Sequence, residues 1–174
     1  GAVPRGAGCI MTVFTAAAVQ MRSAISVEKN LAEATRLIRA AAAGGADYVL
    51  PPEMTNILDR DRGRLLAAIA PEESDPSLAA FRQLAIDLGI WLHVGSLAIK
   101  LVGDGVANRS FLISPSGDIS ARYDKIHMFD VDLAGGESYR ESRLYRPWGE
   151  AGRAELPWCR LGLSVCYDVR FPHL

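Results

Sequence analysis

Gly162-Leu163-Ser164-Val165-Cys166-Tyr167-Asp168 places a cysteine directly after a short apolar run. The run, residues 161–165, is typical of a buried strand, and the polar residues after it indicate that the strand ends at Cys166. In open α/β sheets the reactive groups lie at the ends of strands, so Cys166 is a candidate nucleophile. The alternative is a structural role, because free cysteine is among the most buried residue types and often packs as a small apolar side chain.

The hydrophobic pattern of the first half predicts strands alternating with helices. Ser26 and Asp75 are predicted N-caps, and Gly44-Gly45 and Gly89 are predicted helix ends. In chain order, the pattern predicts a buried strand at 13–19, a helix from Ser26 to Gly44, a buried strand at 48–50, a short helix at 62–70 and a helix from Asp75 to Gly89.

The second half predicts mainly strands, at 90–101, 106–114 and 119–123. Gly103-Asp104-Gly105 is a hairpin signal between the first two. Residues 124–143 are polar and are expected to be irregular. Together, the two halves predict a mixed α/β sheet with helices on at least one face.

Composition bounds the class of protein. The 174 residues are 49% hydrophobic and 22% charged, and the net charge is −1, which favours one globular domain and argues against nucleic acid as a partner. No apolar stretch reaches membrane-spanning length, so no membrane association is expected. Cys9, Cys159 and Cys166 are odd in number and lack CxxC spacing, which argues against disulfides and zinc and favours a reducing, cytoplasmic location. No metal or cofactor is expected, since neither a ligand cluster nor a glycine-rich phosphate loop is present.

The domain boundaries follow from the same pattern. Residues 1–10 are interpreted as a leader or a cloning remnant, with a native start at Met11. A signal peptide is not expected, because the segment lacks a continuous apolar core. A single domain is predicted to span residues 11–174.

Three residues suited to amide hydrolysis by a thiol each follow a predicted strand: Glu53, Lys125 and Cys166. A thiol is mostly protonated at neutral pH, so a neighbouring carboxylate such as Glu53 must take its proton. The Lys125 ammonium and the Tyr167 N–H can then hold the oxyanion of a tetrahedral intermediate. The alternatives are a capping role for Glu53 and a solvated surface position for Lys125.

Three stretches in this order resemble the catalytic motifs of the nitrilase superfamily of carbon–nitrogen hydrolases. They are Leu50-Pro51-Pro52-Glu53, Tyr123-Asp124-Lys125-Ile126-His127-Met128-Phe129-Asp130 and the Cys166 stretch quoted above. The resemblance implies a four-layer α-β-β-α sandwich, of which this chain holds the N-terminal part and is incomplete at the C-terminus. It also implies a homodimer or higher homo-oligomer at full length.

The resemblance assigns roles to individual residues. Glu53 is implied as the general base, Lys125 as the oxyanion stabiliser and Cys166 as the nucleophile. Tyr139-Arg140-Glu141-Ser142 is similar to the motif of a second glutamate, which implies that Glu141 orients Lys125 and the attacking water. Arg170 is a candidate for recognising a substrate carboxylate, with pairing to Asp168 or to a neighbouring loop as the alternative.

Cys166-Tyr167-Asp168 is similar to the amidase branches, in particular the one that holds omega-amidase and deaminated-glutathione amidase. This implies hydrolysis of a small carboxylate-bearing amide through a Cys166 thioester, with release of ammonia. Three alternatives stay open: a nitrilase or carbamoylase of the same superfamily, a Cys-His hydrolase that uses His127 or His93 as base, and an inactive remnant acting in subunit pairing.

Overall fold

A five-stranded mixed sheet forms the centre of the computed structural model, which describes residues 13–103 and 105–174. In spatial order its strands are β1 (Ala16–Ala18), β2 (Tyr48–Leu50), β3 (Trp91–Lys100), β4 (Val106–Ile113) and β5 (Ile119–Asp124). The first three are parallel, and β4 and β5 join them in antiparallel pairing. The predicted mixed sheet is therefore confirmed. The predicted leader, the start at Met11 and Asp104 of the predicted turn lie outside the described residues.

Within the described residues, three α-helices accompany the sheet: α1 (Val27–Ala43), α2 (Arg62–Ala68) and α3 (Pro76–Leu88). The predicted caps are confirmed, because the side chains of Ser26 and Asp75 accept hydrogen bonds from backbone N–H groups in the first turns of α1 and α3. Gly89 ends α3 with a φ of 64°, a left-handed conformation that glycine adopts without strain. The second helix is two residues shorter than predicted.

The main core lies between the sheet and α1 and α3. Ile38 of α1 and Phe81 of α3 are fully buried with Val49, Leu92 and Phe111 of the sheet. The helices therefore cover one face of the sheet, as the sequence predicts. The smaller α2 packs over the loop after β2, where Leu65 joins a separate apolar cluster.

A second, two-stranded sheet of β8 (Gly152–Glu155) and β9 (Arg160–Leu163) covers the opposite face. Ala154 and Leu156 pack there with Leu112 of β4 and Tyr48 of β2. Helices, main sheet and second sheet are thus stacked in the order expected for part of an α-β-β-α sandwich.

Three details differ from the prediction. Residues 124–143 are not irregular: they contain the hairpin of β6 (Asp130–Asp132) and β7 (Ser138–Arg140), which turns through Gly136 at a φ of 84°. The strand before Cys166 ends at Leu163, two residues short of its predicted end, and pairs with β8, which the sequence analysis missed. The strand predicted at 13–19 is present only at Ala16–Ala18, and its predicted burial is wrong, since β1 lies at the edge of the sheet and none of its residues is buried.

No α-helix within 13–103 and 105–174 is long and apolar enough to cross a membrane.

A bulge in β3 holds the loop that follows β2. The register against β4 shifts between Val94 and Leu97, and the bulged Gly95 donates its N–H to the Pro51 carbonyl at 3.1 Å. Ser96 adds two contacts, since its carbonyl accepts from the Thr55 N–H and its hydroxyl from the Met54 N–H, both at 2.9 Å. A Cβ on Gly95 would lie 2.4 Å from the Pro51 oxygen, so only glycine allows this approach.

Gly95→Ala should therefore lower the free energy of unfolding by about 1–3 kcal/mol, the usual effect of forcing extra volume against fixed atoms. Gly149→Ala is the matched control, because no atom lies within 4 Å of its added Cβ. Denaturant unfolding of both variants measures the difference. Equal midpoints for the two would contradict the close approach.

Candidate active site

Glu53 lies in the loop that the β3 bulge holds. The loop follows Pro51 and Pro52, which end β2, and the next residue, Met54, has a φ of 53°. A positive φ is strained for a side chain of this size, and such strain is typical of functional sites. The Glu53 side chain is 31% exposed, so it is anchored yet reachable.

Lys125 directly follows β5, and its side chain is buried rather than solvated. It is 2% exposed, and its Nζ lies 3.2 Å from Glu53 Oε1 and 2.8 Å from Glu141 Oε2. Backbone hydrogen bonds to Asn108 O and from Trp148 N fix both sides of the residue. The structure thus brings together Glu53, Lys125 and Glu141, as the sequence predicts.

The two carboxylates keep Lys125 charged. Burial by itself lowers the pKa of Lys125, but the hydrogen bond to Glu141 and the charges of Glu53 and Glu141 outweigh it and raise the pKa above the ordinary value. A buried ammonium is stable only when it is paired and hydrogen-bonded in this way.

Glu141 begins the 3-10 turn that follows β7, and the β6–β7 hairpin carries it to the lysine. Its Oε2 also accepts the backbone N–H of Phe129 at 2.7 Å. The carboxylate is 14% exposed and has donors on two sides, so its position is set by the hairpin that the sequence analysis missed.

Sequence reasoning missed two further residues at this site, Asn108 and Tyr145. Asn108 donates its Nδ2–H to Glu53 Oε1 at 2.8 Å. The Tyr145 hydroxyl contacts the Met54 sulfur, and burial followed by the charges of Glu141 and Glu53 raises the pKa of Tyr145. The available signal for Asn108 was a polar residue inside the otherwise apolar strand β4.

Cys166 opens a five-residue 3-10 turn, Cys166–Arg170, with its side chain exposed and a φ of 49°. Burial, the charge of Glu53, a hydrogen bond with Glu53 and the charge of Glu141 raise the pKa of the Cys166 thiol, whereas the Lys125 charge lowers it. The thiol therefore lies within electrostatic reach of all three charged residues. Cys166, the two carboxylates and the ammonium are thus electrostatically coupled.

Asp168 ties this turn to the segment after Lys125. Its fully buried carboxylate accepts hydrogen bonds from the Tyr123 hydroxyl at 2.7 Å and from the Val165 and His127 backbone N–H groups at 2.9 Å. The His127 ring bonds the same carboxylate at 2.7 Å. Burial by itself raises the pKa of Asp168, but these hydrogen bonds lower it overall.

The two histidines of the Cys-His alternative are engaged elsewhere. The His127 ring bonds Asp168 and stacks on Phe171 with ring centroids 3.5 Å apart. His93 is buried between the Tyr48 hydroxyl and Ser110, and burial lowers its pKa to about 4. The charges that act on Cys166 come from Glu53, Lys125 and Glu141 instead.

Tyr167 and Arg170 lie on the turn of the cysteine. Tyr167 is the second residue of the turn, where a backbone N–H has no partner within the helix. Arg170 is exposed, and no ion pair among the described residues includes it. Pairing with Asp168, one alternative for Arg170, is replaced by the contacts of Asp168 to Tyr123 and His127.

No group of histidine, cysteine and acidic side chains in the described part of the chain is arranged to hold a metal ion. The chemistry that the cluster itself offers is a thiol, a carboxylate proton acceptor and a fixed positive charge, the set needed for nucleophilic attack on a polarised carbon.

The chain belongs to the carbon–nitrogen hydrolase family, whose model matches residues 15–174. It is 36% identical over 162 residues to a deaminated glutathione amidase of Yersinia enterocolitica, and 31% identical over 164 residues to the omega-amidase NIT2 of Homo sapiens. These matches cover 91% and 94% of this chain but 56% and 58% of the two relatives. The chain thus spans little more than half the length of these relatives.

Solved structures show the same fold. The C. elegans NitFhit protein superposes with a TM-score of 0.81 at 30% identity, over 92% of this chain and 40% of that chain. XC1258 of Xanthomonas campestris, a CN-hydrolase superfamily protein with an arsenic adduct in its active site, gives a TM-score of 0.76 at 25% identity, over 92% of this chain and 56% of that chain. The nitrilase-type α/β fold predicted from the sequence is confirmed.

Charges on either side of the thiol should shift its reactivity in opposite directions. Glu53→Gln removes a negative charge that raises the pKa of Cys166, so alkylation by iodoacetamide should begin at lower pH. Lys125→Met removes a positive charge that lowers the same pKa, so alkylation should begin at higher pH. Mass spectrometry of the Cys166 peptide measures both profiles, with the exposed Cys159 as internal reference. Shifts in the same direction would refute the cluster.

Asp168→Asn should lower the free energy of unfolding by about 1–3 kcal/mol at neutral pH, because one acceptor oxygen becomes an NH₂ group that faces buried donors. The folded-state pKa of Asp168 is lowered, so its stabilisation is present above its unfolded pKa of about 4 and is lost as pH falls through the lower folded-state pKa. The difference from wild type in denaturant unfolding should therefore shrink in acid. Asp132→Asn, at an exposed carboxylate paired with Arg140, is the control and should change stability by no more than about 1 kcal/mol. A pH-independent difference would argue against the charged state of Asp168.

Proposed function

We propose that this chain carries the catalytic centre of a thiol amidase that hydrolyses a small carboxylate-bearing amide and releases ammonia. The observation that carries the proposal is the cluster in which Lys125 lies between Glu53 and Glu141. The charges of all three residues act on the pKa of the Cys166 thiol. The resemblance to relatives named as amidases supports the choice of amide.

In the first half-reaction, Cys166 attacks the amide carbonyl carbon and its thiol proton passes to Glu53. The C=O π electrons move onto oxygen, and Lys125 and the Tyr167 N–H stabilise the resulting oxyanion. The oxyanion then collapses, the C–N bond breaks, and the proton on Glu53 leaves with the nitrogen as ammonia. A thioester on Cys166 is left.

In the second half-reaction, water attacks the thioester carbon and passes a proton to Glu53. Glu141 orients the water and holds Lys125 against the new oxyanion. The C–S bond then breaks, the carboxylic acid leaves, and the proton returns to the sulfur.

Arg170 is proposed to bind the carboxylate of the substrate. It is exposed on the turn that begins with Cys166, and no described acidic side chain pairs with it. An unpaired guanidinium on the same turn as the proposed nucleophile suits recognition of a planar carboxylate.

The proposed compartment is the cytoplasm. Cys159 and Cys166 are both free thiols, and the mechanism requires Cys166 to be reduced, as the cytosolic glutathione pool keeps it.

Ammonia release from a dicarboxylic acid monoamide and from its matched nitrile, assayed side by side, tests the bond that is cleaved. The amide should react faster, because its tetrahedral intermediate carries an oxyanion that Lys125 can hold. Lys125→Met, checked for folding by circular dichroism, should lower amide turnover by at least about 10²–10³-fold.

The cysteines supply the matched control for this assay. Cys166→Ser should abolish turnover, whereas Cys159→Ser should leave it close to wild type. Faster turnover of the nitrile would overturn the amidase assignment, and equal losses for the two serine variants would overturn Cys166 as the nucleophile.

A further inference from the structure

Asn108 lies at the centre of the charged cluster without being one of its charges. It is fully buried in β4, opposite Ala98 of β3. Its backbone carbonyl accepts the Lys125 N–H at 3.0 Å. Asn108 is therefore coupled to Lys125 through the backbone before its side chain is considered.

The side-chain amide binds the same two carboxylate oxygens as the lysine. Asn108 Nδ2 lies 2.8 Å from Glu53 Oε1 and 3.4 Å from Glu141 Oε1. Lys125 Nζ lies 3.2 Å and 3.0 Å from the same atoms. Two donors and two acceptors thus alternate around a ring, and both donors on Glu53 engage Oε1.

The orientation of the amide is settled by its partners. Both are acidic oxygens that act as acceptors when ionised, so the NH₂ group must face them. The consequence is that Asn108 Oδ1 is buried without a hydrogen-bond partner in the described structure. A buried acceptor without a partner is unfavourable, and a purely structural asparagine would be expected to satisfy both ends of its amide.

We propose that Asn108 is a positioning residue for the reaction, which fixes Glu53 by Oε1 so that Oε2 faces the thiol of Cys166. Leaving Oδ1 without a partner is then the energetic cost of directing the Asn108 NH₂ group at both carboxylates. Asn108 also reduces the repulsion between Glu53 and Glu141, which a single ammonium would otherwise have to offset alone. This inference rests on the proposed function, because it assigns Asn108 a task through the proposed base.

A double-mutant cycle tests the proposal. The four proteins are wild type, Asn108→Ala, Glu53→Gln and the double variant, and the two readouts are kcat for amide hydrolysis and the rate of Cys166 alkylation by iodoacetamide. Asn108→Ala should lower kcat by roughly 10²-fold with KM little changed, the effect of a misplaced catalytic group. In the Glu53→Gln background the same substitution should change the alkylation rate by less than about twofold, because the group it positions has been removed.

Ser110→Ala is the matched control. Ser110 is also fully buried in β4, two residues further along the same face, but it bonds His93 and the Val94 carbonyl. It should leave kcat and the Cys166 alkylation rate near wild type. Asn108→Asp is a second variant, for use if the alanine variant fails to fold. It keeps the shape of the side chain but replaces the NH₂ donors by an acceptor oxygen, so its kcat should be lowered as well.

The outcomes separate the two proposals. Equal effects of Asn108→Ala in both backgrounds, or a variant as active as wild type, would overturn the positioning role. If wild type releases ammonia from no amide tested, the proposed function fails. The alkylation cycle then still decides whether Asn108 acts through Glu53, because it requires no turnover.

Discussion

The buried ammonium of Lys125 is the interaction on which the rest of the site depends. Without it, the two carboxylates that lie within 3.2 Å of its Nζ would repel each other. Each partner arrives from a different part of the chain: Glu53 after β2, Lys125 after β5 and Glu141 after the β6–β7 hairpin. Removing one member of a buried ion pair leaves an uncompensated charge and typically destabilises a protein by about 3–5 kcal/mol. The ion pairs therefore also hold these three segments to one another.

The neighbouring backbone bears the strain that this convergence requires. The positive-φ residues other than glycine in the described chain are Met54 and Cys166, one next to the proposed base and the other the proposed nucleophile. Each is over-determined by its surroundings: Met54 by the β3 bulge, and the Cys166 turn by Asp168. Such strain persists only where the surrounding structure fixes it, and Gly95 and the buried Asp168 carboxylate provide that support next to the proposed catalytic residues.

Residues that end helices and strands made much of the fold predictable from the sequence. Prolines and glycines mark the ends of β2, α1 and α3, and the three proposed catalytic residues each follow an apolar run. The burial of Lys125 was not predictable in this way, because it depends on carboxylates 72 and 16 residues away in sequence. Asn108 was missed for the same reason, and the three-residue strands β6 and β7 are too short to show a period. β1 is exposed because it lies at the edge of the sheet. The residues of a strand do not by themselves show where it will lie in the assembled sheet.

The balance of charge around sulfur favours one order of events in the proposed mechanism. Cysteine hydrolases that pair the thiol with a histidine hold a preformed thiolate, because the imidazolium lowers the pKa of the thiol. Here burial and Glu53 outweigh Lys125, so the pKa of Cys166 is raised and the resting thiol is protonated at neutral pH. His127 bonds Asp168 through its Nδ1. In the proposed mechanism the proton therefore moves to Glu53 as the carbonyl is attacked. The Lys125 charge lowers the pKa of the thiol but not enough to offset burial and Glu53, so in the proposed mechanism its main task is to stabilise the negative charge that develops on the substrate oxygen.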